Sequence, residues 1–199
     1  ALGSVLGGRL VDRWQKDPLL VFAGLEIFLA VYAQLFPHVL GLVDGLYLGL
    51  ATGSDISFAA HTALRFVGGA LSLAPPTLAA GATLPVACKA FVEEDDGIGS
   101  GVSSLYGANL LGATAGCLAT TFFTIGLLGF PVTAMLGSAA NLTAAALALI
   151  TWRMHPGRTP AAPAEDDDGP TVWNGGALAI GSAYFTVGFC ALALSLIHI

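Results

Sequence analysis

Long stretches without charge constrain this chain more than any other feature. Only 10% of its 199 residues are Asp, Glu, Lys or Arg, against about 25% in a typical soluble domain. The charges are clumped, which leaves apolar runs of roughly 20 residues, the length that a helix needs to cross a bilayer core. The pattern predicts an all-α fold, a multi-pass transmembrane helical bundle. It excludes a water-soluble globular enzyme and a disordered chain.

The charge balance and the cysteines restrict the function further. With 7 Lys+Arg against 13 Asp+Glu, the chain has too few cations to neutralise a row of phosphates, so a nucleic-acid partner is excluded. Cys88, Cys117 and Cys190 lie in apolar runs without metal-ligand spacing and are expected to be small core residues. The sequence therefore predicts no catalytic, cofactor-binding or metal-binding residues in this chain. Whether the full-length protein is an enzyme stays open.

The apolar runs predict about six spans in a fragment of a larger protein. Residues 1–8 are expected to end the first span, and the later spans are predicted at 18–36, 57–90, 102–128, 131–152 and from 175 to 199. These spans define three regions: a helical bundle at 1–152, a Pro-rich acidic cytoplasmic linker at 153–172, and the start of a further transmembrane helix at 173–199.

Prolines mark the predicted limits of two of these spans. Pro37 is expected to end the second span, because proline removes a helix hydrogen bond and its ring clashes with the preceding turn. Pro75, Pro76 and Pro85 are expected to break the third span, which is the longest.

Residues 38–55 are apolar enough to form a span of their own, and the basic residues decide against it. If this segment is an outer loop with an interfacial helix, six of the seven basic residues lie on inner loops and only Arg65 falls on the outer half. If it crossed the membrane, the split would be four against three. The positive-inside rule therefore predicts that 9–17, 89–100 and 153–172 lie in the cytoplasm.

Ionisable and polar residues inside the predicted spans are candidates for function. Glu26 lies near the middle of the second span, where a charge is costly, and Asn109 in the fourth span also needs a partner. Arg65 is expected at a depth similar to that of Glu26, with His61 one turn before it on the same face. Two interpretations stay open. One is a polar pocket or proton relay, and the other is a structural ion pair of Glu26 with Arg65, direct or through His61 or a water.

A ladder of small residues follows one face of the fourth span. Its members are Ser104, Ala108, Gly112, Gly116 and Thr120, each four residues apart. Because apolar burial does not drive helices together in lipid, close backbone contact supplies the attraction instead. We therefore expect Ala108, Gly112 and Gly116 to pack against a neighbouring helix.

Small residues also precede the first charged segment. Gly3, Gly7 and Gly8 offer the first helix a close approach to another helix. Asp12 and Arg13 follow Gly8, and the spacing of these three residues resembles the cytoplasmic loop signature of major facilitator transporters, in which Asp and Arg follow a glycine by four residues. The alternative is a simple loop with positive charge on the inner side.

Four blocks of the sequence form a recognisable pattern when they are taken together. The blocks are residues 1–13, 25–27, 75–85 and 105–116. The pattern resembles the membrane half of the fused major-facilitator/spermidine-synthase-like proteins of prokaryotes, and the resemblance covers nearly the whole chain. Residues 195–199 depart from the family's pattern.

The resemblance implies an integral domain of a prokaryotic plasma (inner) membrane. In that family such a domain accompanies a soluble aminopropyltransferase-like domain of polyamine biosynthesis, with a Rossmann-like fold. The glycine-rich loop and acidic catalytic residues of that domain are not in this sequence, so no cofactor is expected here. The expected partners are the lipid bilayer and a covalently attached synthase-like domain.

Two other functions remain open. One is half of a small-molecule secondary transporter of the major-facilitator type, which Glu26 and a broken third helix would support. The other is a purely structural membrane scaffold.

Overall fold

The computed structural model describes residues 2–13, 17–52, 57–91, 98–154 and the single residue 186. The helices are α1 (Leu2–Arg13), α2 (Pro18–Ala51), α3 (Phe58–Phe91), α4 (Ile98–Ala119) and α5 (Ile125–Met154), and a π-helical turn at Thr120–Thr124 joins the last two. No strand occurs in these ranges, so the predicted all-α class is confirmed for the described part of the chain.

Three helical stretches are long and apolar enough to cross a membrane. They are Pro18–Ala51, Phe58–Ala90 and Ser103–Met154, and an 18-residue segment of each reaches a mean hydropathy of 2.1, 1.3 and 1.6, respectively. Helix α2 has 34 residues and a length of about 51 Å, against about 30 Å for a bilayer core. The prediction of membrane helices is confirmed, but the number of about six spans is not supported. The predicted span from 175 to 199 lies outside the described residues, except for its residue 186.

Helix α2 continues through Pro37, where the sequence predicts its end. The predicted helix end at Pro37 is therefore wrong, because residues 38–51 form the second part of α2 instead of a separate interfacial helix. The outer position of 38–55 stays a prediction. An internal proline costs a helix about 3 kcal/mol or more. Hydrogen bonds of Tyr32 and Tyr47 reach α3 on either side of this proline. These contacts hold both parts of α2 against one neighbour, which offsets the cost of the proline.

Helix α3 is likewise one helix where the sequence predicts a break, with Pro75, Pro76 and Pro85 inside it. Pro76 lacks the N–H that would donate to the carbonyl of Ser72, four residues earlier. The hydroxyl of Tyr32 on α2 donates to that oxygen over 2.7 Å. A neighbouring helix thus supplies the hydrogen bond that the proline removes, as membrane helices with internal prolines require.

Helix α1 lies against α3 and runs parallel to it, with their backbones in close contact. A Cβ atom added to Gly7 would lie 2.6 Å from the Cβ atom of Ala82, so no larger residue fits without a shift. Ser4 Oγ donates to the carbonyl of Gly81 over 3.0 Å, which is the carbonyl that Pro85 leaves without its helical donor. The predicted close approach of the first helix through small residues is confirmed for Gly3 and Gly7 and is wrong for Gly8, where an added Cβ atom meets open space.

The core is formed where α2 packs antiparallel to α3 and α5. Its buried members are Leu19, Val21, Phe22, Ala23, Val86, Ala87, Ala90, Leu105, Ala144, Ala145 and Ala148. Alanines on three facing helices let the backbones approach closely, as is common between membrane helices.

The start of α2 lies beside the ends of α3 and α5, since Leu19 and Ala90 share the buried core with the last turns of α5. Arg9 is near the end of α1, Lys89 near the end of α3 and Arg153 near the end of α5. These three cations therefore lie at one end of the bundle, which we call the basic end.

Gly129 interrupts the long stretch that contains α4 and α5. Its φ of 75° and ψ of 171° are not helical, and a positive φ of this size is readily adopted only by glycine. Pro131 follows two residues later, where a new helical turn tolerates it. The predicted boundary between 102–128 and 131–152 coincides with this kink.

Candidate functional site

Glu26 is buried in the bundle with an exposed fraction of 0%. Within the described part of the chain, neither carboxyl oxygen has a hydrogen-bond partner. The residue lies eight positions after Pro18, about 12 Å from the start of α2 and about 38 Å from its end at Ala51. The sequence placed Glu26 near the middle of a shorter helix, and this is corrected by the continuation of α2 through Pro37.

Two hydrogen bonds show which residues of α3 and α5 lie at the same height along the bundle axis as Glu26. Tyr32 bonds to Ser72 of α3, and Ser138 Oγ of α5 donates to the carbonyl of Ala30 over 3.0 Å. Because both neighbours run antiparallel to α2, the level of Glu26 is near residue 78 of α3 and residue 142 of α5.

The segments at this level are uncharged. In α3 the residues 76–80 are Pro, Thr, Leu, Ala and Ala, and in α5 the residues 140–144 are Ala, Asn, Leu, Thr and Ala. In α1 the residues 2–7, which contact this part of α3, are also uncharged. No counter-ion for Glu26 lies at its level in these described segments.

A short row of polar contacts follows Glu26 toward the C-terminal end of α2, on the same face of that helix. Gln34 Nε2 donates to Ser138 Oγ over 2.6 Å and to the carbonyl of Ala134 over 3.1 Å. Glu26, Ala30 and Gln34 are four residues apart, so all three face α5. Sequence reasoning missed this row of contacts, although the i, i+4 spacing of Glu26 and Gln34 together with a serine in the fifth span was a usable signal.

Arg65 and His61 form a separate cluster with Tyr47 at the opposite end of the bundle. Tyr47 Oη and His61 Nδ1 are 2.9 Å apart, and the guanidinium carbon of Arg65 lies 4.8 Å from the centroid of the Tyr47 ring. The prediction that His61 and Arg65 share a face agrees with their common contact. Arg65 is exposed and satisfied by the aromatic ring rather than by a carboxylate.

The predicted ion pair of Glu26 with Arg65 is wrong. Tyr47, which Arg65 covers, is 21 residues from Glu26 along α2, a separation of about 31 Å. The predicted depths assumed that α2 ends at Pro37. Because α2 continues to Ala51, the start of α3 meets the second part of α2 instead of the part that carries Glu26.

An open cleft of about 660 Å³ adjoins the Tyr47 cluster between α2 and α3. Asp44 and Arg65 supply its charged lining, and most of the remaining lining is Leu, Val and Gly. We call this region the cleft end of the bundle.

The small-residue ladder of α4 is largely on a buried face. Gly112, Gly116 and Thr120 are buried, whereas Ala108 and Asn109 are partly buried. Close packing of Ala108, Gly112 and Gly116 against another helix stays a prediction, as does a polar partner for Asn109.

The signature-like residues of the first helix are only partly described. Gly8 lies in α1 with open space where a Cβ atom would be. The backbone of Asp12 and Arg13 is helical, so α1 extends through them, and their side chains lie outside the described residues. A transporter-type loop at this position stays a prediction.

The remaining chemistry-bearing residues form no cluster in the described ranges. Cys88 and Cys117 are free thiols and partly buried, and Cys190 lies outside these ranges. No three His, Cys, Asp or Glu side chains come together there as metal ligands would.

These features define the class of the protein, since three helices of sufficient length and apolarity indicate a helical membrane protein. Beyond the class, no protein-family model, no characterised protein and no solved structure matches the chain.

Proposed function

We propose that this chain is an integral membrane domain that anchors a soluble aminopropyltransferase-like domain, as its resemblance to the fused major-facilitator/spermidine-synthase-like proteins implies. The observation that carries the anchoring role is the basic end. Arg9, Lys89 and Arg153 lie at the same end of a bundle of apolar helices. Under the positive-inside rule this end faces the cytoplasm, where such a soluble domain would work.

The proposed topology uses Gly129 as a turn between two membrane crossings. The stretch Ser103–Met154 has 52 residues and a helical length of about 78 Å, more than twice a bilayer core. Division at Gly129 leaves two segments of about 38 Å, each long enough to cross. With α2 and α3, the described residues would then supply four crossings, and the linker at 153–172 would be cytoplasmic.

Cysteine labelling tests this topology. In a chain whose native cysteines are replaced by alanine, Ser57→Cys between α2 and α3 is expected to react with an impermeant maleimide in intact cells. Asp166→Cys in the linker is expected to react only after the cells are opened. Reaction of Asp166→Cys but not Ser57→Cys in intact cells contradicts the proposed orientation.

The full-length sequence tests the anchoring role. A further domain with a glycine-rich loop and acidic catalytic residues, together with aminopropyl transfer by the purified full-length protein, is the expected result. Six further spans and no such domain would contradict the anchoring role.

The second candidate is half of a small-molecule secondary transporter. It is favoured by Glu26, which is buried and has no hydrogen-bond partner in the described part of the chain. Ionisable side chains buried among membrane helices mark transport or proton pathways in many membrane proteins. The continuous helix α3 removes the second argument for a transporter, which was a broken helix near the site. Solute uptake or efflux in proteoliposomes that depends on Glu26 would favour this candidate over a simple anchor.

A further inference from the structure

We propose that Glu26 is a proton-binding site in the core of the bundle, which exchanges its proton with the basic end. The inference rests on the proposed function in one respect, the placement of α2 across a membrane. It holds for an anchor domain as well as for a transporter half.

The carboxyl group of Glu26 is isolated from water and from the polar groups of the described residues. Glu26 has no exposed surface, and neither of its oxygens accepts a hydrogen bond from the described residues. A carboxylate in such a place has lost water without gaining another partner, which is the most costly state for an ionised group. Uptake of one proton removes the charge and with it most of this cost.

The charged side chains that the structure describes on the helices around Glu26 are displaced from its level along the bundle axis. From the levels at residues 78 and 142, Lys89 of α3 and Arg153 of α5 are each displaced by about 16 Å along the bundle axis. The contact of Gly7 with Ala82 aligns α1 with α3 and displaces Arg9 by about 9 Å. Asp17, the N-cap of α2, and Asp44 within α2 are about 14 Å and about 27 Å away along the helix. His61 and Arg65 lie at the cleft end, so no described cation is placed to pair with this carboxyl group.

The environment of Glu26 fits a proton better than a metal ion. Divalent cations such as Ca²⁺ and Mg²⁺ need about six oxygen ligands, several of them from the protein. The carboxyl oxygens of Glu26 have no polar partner at hydrogen-bond distance among the described residues, and no group of three His, Cys, Asp or Glu side chains that could hold a metal ion occurs there. A proton needs only one oxygen, so it is the ligand that this environment fits.

The basic end is the nearer source of protons. Glu26 is about 12 Å from the start of α2 and about 38 Å from its end. Exchange with the water at the basic end therefore crosses about one third of the distance that exchange with the cleft end would require.

Carbodiimide labelling of the full chain in lipid nanodiscs tests the proposal. Dicyclohexylcarbodiimide is apolar and reacts with carboxylic acids inside membranes. The acid proton passes to a carbodiimide nitrogen while a carboxyl oxygen bonds to the central carbon, and the adduct rearranges to a stable N-acylurea without loss of any atom. We expect mass spectrometry to find the adduct on Glu26, and the rate to fall about tenfold per pH unit once the site has lost its proton.

Three variants and a second reagent provide the controls. Glu26→Gln should abolish the adduct, and Glu26→Asp should retain it, because the shorter side chain keeps the acid. A water-soluble carbodiimide with an added amine should modify the exposed Asp44 and leave Glu26 unmodified. Asp44→Asn should lose that second reaction and keep the first.

Infrared spectroscopy keeps the test independent of reagent access and of variant folding. The unmodified chain should show the carbonyl stretch of a carboxylic acid at neutral pH, and Glu26→Gln should lack it. Absence of both the adduct and this band overturns the proposal. If the cysteine labelling agrees with the proposed topology but both the adduct and the band are absent, only the proton site is contradicted. If both signals are present but the cysteine labelling disagrees, only the proposed orientation is contradicted.

Discussion

Polar side chains at the cleft end are in contact with one another, whereas the buried acid toward the basic end is not. At the cleft end, Tyr47, His61 and Arg65 bond to or stack on one another beside an open cleft, and Arg65 is exposed. Toward the basic end, small residues bring the helices together, and Glu26 is enclosed without a hydrogen-bond partner among the described residues. The segments of α3 and α5 at its level carry no charge. The comparison teaches that a polar side chain is paired only where the register between helices places a polar neighbour at its own level.

The largest effect is expected where α1 meets α3 most closely. In Gly7→Leu the new side chain meets Ala82, whose Cα would be 2.7 Å from the added Cβ atom, so the helices must separate. We expect a loss of about 1–3 kcal/mol in stability, measured by thermal unfolding in detergent, because overpacking of a tight contact has this cost. Gly8→Leu is the matched control, since a Cβ atom there meets open space. Equal losses from the two variants would contradict the close contact.

A smaller effect is expected from the hydrogen bond that replaces a helical one at Pro76. Tyr32→Phe keeps the ring between Phe28 and Phe36 but leaves the carbonyl of Ser72 without its donor. We expect a loss of about 1 kcal/mol, typical of hydrogen bonds between membrane helices.

A double-mutant cycle sharpens this prediction. Pro76→Ala restores the backbone N–H that donates to Ser72, so Tyr32→Phe should cost clearly less in the Pro76→Ala chain than in the original one. An unchanged cost would show that the Tyr32 hydroxyl does not substitute for the missing donor.

At the cleft end the expected effects are smaller again. Tyr47→Phe removes the hydrogen bond to His61 and keeps the aromatic face under Arg65, while Tyr47→Leu removes both. We expect about 0.5 kcal/mol or less for the first and up to about 1 kcal/mol more for the second, since a cation over an exposed ring contributes about 0.5–1 kcal/mol. Thermal unfolding in detergent measures the difference. A Tyr47→Leu chain as stable as Tyr47→Phe would show that the cation–π contact does not contribute to stability.

The smallest expected effect is the coupling between the two ends. Glu26→Gln and Arg65→Gln should change the unfolding free energy additively within about 0.5 kcal/mol, because Tyr47, which Arg65 covers, is about 31 Å from Glu26 along α2. Unfolding of both single variants and of the double variant measures this coupling. A larger coupling would support an ion pair between Glu26 and Arg65, in contradiction to the structure.

Local signals predicted several elements of this bundle well. The apolar runs located the membrane helices, and the predicted boundary between 102–128 and 131–152 falls at the kink at Gly129. A positive φ and a missing N–H both act within one turn of chain. Gly3 and Gly7 indicated a close helix contact, which α3 provides. Each of these features depends on residues that are neighbours in the sequence.

Other features depended on distant residues. Pro37 was predicted to end α2, and the helix continues because α3 packs along both sides of it. That continuation moved Arg65 away from Glu26, and the predicted ion pair was lost with it. The sequence identified Glu26 as a candidate, but its isolation depends on the uncharged segments of α3 and α5 that lie at its level.

The sequence by itself determined that the chain is helical and apolar enough for a membrane, because a helix satisfies its own backbone within each segment and a long apolar segment is sufficient for it to cross. Only the tertiary structure decided where the helices with prolines end and which polar groups are paired. A proline frees a carbonyl in one helix, and the hydroxyl that satisfies it comes from another, as Tyr32 does for Ser72 and Ser4 does for Gly81. That pairing depends on the register between helices, which no local pattern in the sequence contains.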